Sequence, residues 1–315
     1  MTDPRLVLGT MTFGDTAPVA EAEAMLDAAL DAGITEVDTA NGYAKGTTEE
    51  LLAPLIAPRR DRIRLATKAG MPHPDAGEHS PLSPQGLRAS VEGSLRRLGV
   101  DHIDLFYLHQ PDYAASVEDT LRTVADLVAE GKIRELGVSN FAAWQIVELN
   151  HVADRVGAPR PVVAQQLYNL LARRIDDEYA AMASATGLDT VVYNPLGGGL
   201  LTGKHRFGSE PGSGRFGDSV LAGMYRQRYW DERLFEAVSA LGRIADGAGL
   251  PLTELALRWL PTRPVVGAVL LGASKLDHLT SNIAALRRGP LPADVAAACD
   301  EVGAALHGPM PAYNR

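Results

Sequence analysis

Short apolar runs alternate along this chain with longer stretches in which apolar residues recur every three or four positions. The runs fall at 34–38, 63–67, 103–108, 134–138, 162–166, 189–193 and 266–271, and they are rich in Val, Ile and Leu without strict apolar–polar alternation. Strands of that kind are buried on both faces, as in parallel sheets. Between them, EAEAMLDAALDAG, SPQGLRASVEGSLRRLGV and SVEDTLRTVADLVAEGK have helical periodicity, with Gly33, Gly99 and Gly131 where the helices should end. Glycine is favoured there because it adopts the left-handed conformation that closes a helix. The alternation predicts an α/β protein with a parallel sheet, a (β/α)8 TIM barrel in one domain over 1–315. The opening RLVLGT supplies either the first barrel strand or a plug across the bottom. Segment 195–230, rich in Gly and Arg, predicts a long loop after strand 7, and 306–315 a C-terminal tail over the rim. Long loops in compact domains are more often functional than accidental.

Composition narrows the class. Apolar residues make up 46% and charged residues 22% of the 315, ordinary values for a globular protein. Lys plus Arg number 30 against 39 Asp plus Glu, a formal net charge of -9. That balance argues against a nucleic-acid partner, which needs a basic face, and leaves room for a local cationic pocket. The one cysteine, Cys299 in DVAAACDEV, rules out an intramolecular disulfide, fits a reducing compartment and reads as a packed thiol. MTDPRLVLGT lacks a charged region followed by a long apolar segment. No apolar run approaches the ~20 residues of a membrane span. A cytoplasmic protein without a membrane partner is expected.

The chemistry gathers where the apolar runs stop. EVDTA closes just after Asp38, RIRLATK ends on Lys68, HIDLFYLH ends on His109, and Tyr43 lies in the loop after the first of these. Strand ends of a parallel barrel share one rim, however distant in sequence. Asp38 and Lys68 alone would read as a structural ion pair, Tyr43 as a surface aromatic and His109 as a loop cap. At successive strand ends they read together as a proton-transfer site. A carbonyl reduced by hydride needs a proton donor at its oxygen. A free phenol has a pKa of about 10, so an ammonium at Lys68 is expected to lower that of Tyr43. Asp38 keeps Lys68 charged, and His109 orients the substrate oxygen. No GxGxxG string directly follows a strand to open a βαβ unit, which argues against a doubly wound dinucleotide-binding sheet. Gly198 to Lys204 matches P-loop spacing, but His205 follows where a Ser or Thr should ligate magnesium. The segment reads instead as a glycine-rich backbone able to approach a pyrophosphate. No metal site is expected.

The strings DTANGY (38–43), ATK (66–68), DLFYLHQPD (104–112), GVSNF (137–141), QQLYN (165–169), NPLGGGLLTGK (194–204) and GASKLDHLTSN (272–282) resemble the aldo-keto reductase superfamily, in family order across nearly the whole chain. VEDTLRTVADLVAEGKIRELGVSNFAAW, GRFG, MYRQRYW and the closing YNR resemble its aflatoxin-aldehyde and succinic-semialdehyde reductase branch. The resemblance implies a barrel binding NADPH in extended form at the C-terminal rim. It makes Tyr43 the general acid, tuned by Lys68 and Asp38, with His109 polarising the carbonyl. It implies that Ser139, Asn140 and Gln165 bond the nicotinamide carboxamide and that Tyr193 stacks on the ring. Asn194 to Lys204, including Leu196 and Gly198, would line the pyrophosphate. Arg215 would add a phosphate contact. Ser274, Lys275, His278 and Asn282 would hold the adenosine end, with Ser274 and Lys275 at a 2′-phosphate. His278 departs from the usual Gln or Arg, which leaves its role between adenine and phosphate open.

Arg228 and Arg315 resemble positions closing the substrate pocket in that branch, and a guanidinium pair suits a carboxylate. Tyr225 and Trp230 either wall the same pocket or pack the loop. The resembled branch includes dimers, so a homodimer stays open. The expected reaction is NADPH-dependent reduction of a small-molecule aldehyde, ketone or dicarbonyl. Two alternatives remain: a redox-sensing regulatory subunit with a similar core, as in potassium-channel β-subunits, and a Schiff-base aldolase using Lys68.

Overall fold

A computed structural model describes residues 3–308. Eight parallel strands close into a barrel in sequence order. They are β1 (Arg5–Gly9), β2 (Glu36–Asp38), β3 (Arg64–Ala69), β4 (Ile103–Leu108), β5 (Ile133–Ser139), β6 (Val163–Leu167), β7 (Asp189–Tyr193) and β8 (Ala268–Leu271). Helices α1 (Val19–Asp31), α2 (Thr47–Ile56), α3 (Pro84–Leu98), α4 (Val117–Ala129), α5 (Ala143–Val156) and α6 (Tyr179–Thr186) return the chain between strands. After β7 come α7 (Ala222–Tyr229), α8 (Glu232–Gly247) and α9 (Leu252–Trp259); α10 (Leu276–Leu286) and α11 (Ala293–His307) follow β8. Gly33, Gly99 and Gly131 have positive φ just past α1, α3 and α4, the helix stops expected from sequence.

RLVLGT is the first barrel strand and not a plug: β1 pairs with β2 on one side and β8 on the other. The segment after strand 7 is less of a loop than expected. It opens with a 3-10 turn, Gly197–Thr202, and ends in α7, which buries Tyr225 and Tyr229. Those two tyrosines, four apart, give α7 its one inward stripe, too short a signal to read beneath so many Gly and Arg residues. Gly212, Gly214 and Gly217 in this segment have dinucleotide-fingerprint spacing, but no strand precedes them. The tail 309–315, with Arg315, lies outside the described residues.

Alternate strand residues fill the barrel in layers. Val7, Ala66, Leu105, Tyr107, Val163, Val191 and Ala268 form its apolar middle. Tyr107 fits because its neighbour in register is Gly137, whose Cβ, if present, would sit 2.6 Å from the tyrosine ring. At the bottom, Arg64 bridges Glu36 and Glu135, and Arg5 meets Asp189 at 2.7 Å. Asp38 and Lys68 cap the apolar layer above. Cys299 is fully buried on α11, and burial pushes its thiol up to about 11, as suits a packed thiol.

Candidate active site

Asp38 is the last residue of β2, and Lys68 the last but one of β3. Both point into the barrel above its apolar layer, with Lys68 0% and Asp38 1% exposed. Register sets Lys68 beside Tyr107, with the ammonium 5.7 Å from that ring. The Lys68 Nζ donates to an Asp38 carboxylate oxygen, to the Thr39 carbonyl at 2.7 Å and to the Tyr43 hydroxyl at 3.3 Å. Three acceptors match the three protons of an ammonium, one more than a neutral amine could serve. The second Asp38 oxygen accepts from Gln165 Nε2 at 2.9 Å. Burial pushes the Asp38 carboxyl up and the Lys68 ammonium down, and each charge opposes the shift of the other.

Tyr43 opens a 3-10 turn, Tyr43–Gly46, directly after the strand end. Its oxygen accepts from Lys68, so its own proton points elsewhere. As a whole the residue is part-buried; the hydroxyl beside the sealed lysine is its desolvated end. Here the sequence-based expectation is corrected. Burial pushes the Tyr43 phenol well above its ordinary value, the Asp38 charge adds to this, and Arg215 opposes it. The Lys68 ammonium, itself desolvated and paired with Asp38, does not offset this rise. The outcome is a phenol that keeps its proton.

His109 follows β4, fixed by its backbone N–H to the Ala69 carbonyl at 2.8 Å. Its ring meets Tyr43 edge-on at 6.1 Å. Burial, with the Lys68 charge, lowers its pKa to about 3, so the imidazole is neutral at ordinary pH. Its Nδ1 is buried without a hydrogen-bond partner among the described residues. Phenol, ammonium, carboxylate and neutral imidazole thus stand together at one mouth, an arrangement that can deliver a proton to an oxygen and stabilise the phenolate left behind.

The Aldo/keto reductase family profile matches residues 5–304. The chain belongs to this family. It is 38% identical to human "Aldo-keto reductase family 7 member A3" over 91% of this chain and 90% of that protein. It is 36% identical to mouse "Aflatoxin B1 aldehyde reductase member 2" over 99% of this chain and 88% of that one. It is also 34% identical to a rice "Probable voltage-gated potassium channel subunit beta" over 89% of this chain and 86% of that protein.

The remaining rim of this aldo/keto reductase is built by strand ends and two loops. Ser139 closes β5 and Gln165 lies in β6, both buried. Asn140 takes a left-handed φ of 62°, which Asn tolerates better than most residues. Its Nδ2 donates to the His109 carbonyl at 2.9 Å and to Ser139 Oγ at 3.0 Å, and its Oδ1 accepts from the Tyr193 hydroxyl at 2.7 Å. The Asn140 amide is therefore committed within the protein. Burial pushes the Tyr193 phenol up to about 12, opposed by the nearby Arg228 guanidinium, which places Arg228 at the same mouth. Tyr225 is buried against Tyr229, ring centroids 6.4 Å apart. Trp230 packs on Phe216 and Phe235 at 5.1 and 4.9 Å, so it packs the loop.

Beyond β7, Asn194 also has a φ of 62° and accepts the Gly198 N–H at 2.6 Å. Leu196 precedes Gly197, Gly198 and Gly199, all at positive φ. A Cβ on Gly198 would strike the Tyr225 ring at 2.6 Å, so this backbone turns sharply where a side chain would clash. Lys204 and Lys275 are exposed and make no ion pair among the described residues. Ser274 is part-buried, His278 exposed on α10 and Asn282 buried. Arg215 is paired with Asp15 at 2.9 Å and mostly buried.

Sequence reasoning missed three residues that shape this rim. Asn169 Nδ2 donates to the Asn194 carbonyl at 2.9 Å and to the Tyr229 hydroxyl at 3.1 Å, which also accepts from Asn194 Nδ2 at 2.9 Å. Asp15 accepts from Arg215, from Ser219 Oγ at 2.7 Å and from the Val220 N–H at 3.2 Å, tying the loop after β7 to the loop after β1. Asn169 ends QQLYN and could have been found there. Asp15 bonds a residue 200 positions away, and no local pattern marks it.

Proposed function

We propose that this protein reduces aldehydes with NADPH, Tyr43 serving as general acid. The observation that carries this reading is the Tyr43 hydroxyl accepting from the fully buried Lys68 Nζ at 3.3 Å beside a sealed Asp38. The phenol offers its free proton to the substrate oxygen, and the ammonium steadies the phenolate. Neutral His109 donates to the same oxygen and orients it. NADPH, when bound, supplies the hydride. Its fit rests on the glycine backbone at Gly197–Gly199, which can approach a phosphate, and on the uncommitted cations Lys204 and Lys275. Ser139 and Gln165, whose Oε1 is left by the Asp38 bond, hold the carboxamide. Tyr193 stacks on the ring, and Asn140 acts through Tyr193 and Ser139. Ser274, His278 and Asn282 line the adenosine end. Lys68, with all three donors taken, is a poor Schiff-base amine.

For substrate we infer an aldehyde with a carboxylate at its far end, held by Arg228 and Arg315. Arg228 is exposed, makes no ion pair among the described residues and is hydrogen-bonded to Tyr193. Arg228→Ala or Arg315→Ala should raise KM for succinic semialdehyde about ten-fold or more and that for 4-nitrobenzaldehyde by less than about two-fold. Equal effects would refute the clamp.

A screen of NADPH oxidation over aldehydes and ketones, with Tyr43→Phe as control, tests the main reading. The similarity to a probable channel β-subunit favours one alternative, a redox-sensing subunit. Tight NADPH binding with no turnover on any carbonyl would turn the conclusion that way.

A further inference from the structure

The turn that carries Tyr43 is strained. Ala44 and Lys45, neither of them glycine, have φ of 45° and 59°, and Gly46 follows at 99°. Side-chain-bearing residues resist this region, so such a turn persists only where its surroundings over-determine it. Those surroundings are polar. Glu49, in the first turn of α2, is 0% exposed. Its Oε1 accepts from Thr67 Oγ1 at 2.6 Å and its Oε2 from Arg97 Nε at 2.9 Å. Arg97 is gripped in turn by both oxygens of Asp75, at 3.0 and 2.7 Å. Gly93 leaves room for that carboxylate, since a Cβ there would lie 2.3 Å from an Asp75 oxygen. Gly46 rests against this assembly: its missing Cβ would be 3.4 Å from His73 Nε2 and 3.6 Å from the Arg97 side chain.

Thr67 precedes Lys68 in β3, so the two side chains leave the strand on opposite faces. Lys68 enters the barrel, and Thr67 faces the helices. One carboxylate therefore ties the helix that follows the Tyr43 turn to the strand that carries Lys68, and holds the guanidinium against which the turn packs. We propose that Glu49, through Thr67 and Arg97, is a positioning residue that fixes the Tyr43 hydroxyl against the Lys68 ammonium. The inference rests on the proposed role of Tyr43. A purely cohesive role would be served as well by apolar residues of similar volume, which often replace buried ion pairs at no loss. The groups facing Lys68 are Asp38, Tyr43, Tyr107, His109 and Tyr193, with Glu49 behind the strand. The Glu49 charge favours the ammonium.

The test uses the full chain with Glu49→Gln and Thr67→Val, reading kcat, its pH profile, NADPH affinity by fluorescence and amide hydrogen exchange at 43–46. Glu49→Gln should lower kcat about 10- to 100-fold, the scale of a misplaced catalytic group, and leave the NADPH Kd within about two-fold. The alkaline limb of kcat should move to lower pH, because Lys68 loses a supporting charge. Thr67→Val, nearly isosteric, should lower kcat about three- to ten-fold and quicken exchange at the turn more than elsewhere in the barrel. If Glu49→Gln does not fold, Thr67→Val decides. Both variants keeping kcat and turn exchange within about two-fold of wild type, whatever their melting temperatures, would overturn the proposal. An inactive wild type would instead sink the proposed reductase, and exchange at 43–46 would still settle the role of Glu49.

Discussion

Ion pairs close both ends of this barrel, and they behave differently. At the bottom, Arg64 with Glu36 and Glu135, and Arg5 with Asp189, stand in contact with water, the Arg64 and Arg5 side chains being 37% and 55% exposed. At the top, Lys68 and Asp38 are sealed. Each is a cation–carboxylate contact, and Arg64–Glu36 joins the same two strands, β2 and β3, as Lys68–Asp38; the difference is desolvation. Exposed pairs contribute about 0–1 kcal/mol, whereas a buried pair is costly to break because removal of one partner strands the other charge. The upper pair also sits beneath a phenol and a neutral imidazole, which turns a structural contact into a set of groups able to move a proton.

Four measurements sharpen or break this contrast. Tyr43→Phe should lower kcat about 10²- to 10⁴-fold, the usual contribution of a positioned acid, with little change in NADPH affinity; a variant retaining a tenth of the activity or more would remove Tyr43 from the chemistry. Asp38→Ala, which leaves the Lys68 charge uncompensated, should cost about 3–5 kcal/mol in urea unfolding. A loss as small as that of a bottom pair would erase the distinction between the two ends. His109 is neutral when folded, its pKa lowered to about 3, against about 6.5 unfolded. Below that value the unfolded chain binds a proton that the folded chain refuses. Its contribution is therefore a stability that falls as pH drops from about 6.5 toward 3, by up to about 1.4 kcal/mol per unit. His109→Asn should flatten the fall over that window, and unchanged slopes would show that the imidazole is not sealed. Glu135→Gln, at the bottom, should shift stability by less than about 1 kcal/mol and leave turnover intact.

The same contrast marks what was legible beforehand. The strand ends at Asp38, Lys68 and His109 could be read because apolar runs have edges and a parallel barrel gathers those edges on one rim. Helix stops at Gly33, Gly99 and Gly131 were legible for a similar local reason. The Tyr43 pKa was not: a phenol near an ammonium suggested greater acidity, but burial of the hydroxyl, with the Asp38 charge adding to it, pushes the phenol up. The pairing of Arg215 with Asp15 was not legible either, because the two lie 200 residues apart. Helix α7 was hidden in a Gly- and Arg-rich stretch, since two buried tyrosines are too few to set a period.

Sequence alone determined the alternation of strands and helices from β2 onward, the rim and the identity of the four polar groups on it, because periodicity and strand termination are local properties carried by adjacent residues. Tertiary structure decided which polar groups are engaged and with what: Lys68 with Asp38, Arg215 with Asp15, the neutral Asn140 amide with Tyr193, while Arg228 makes no ion pair among the described residues. Desolvation and electrostatic fields are sums over neighbours that the fold brings from every part of the chain, and no stretch of sequence contains that sum.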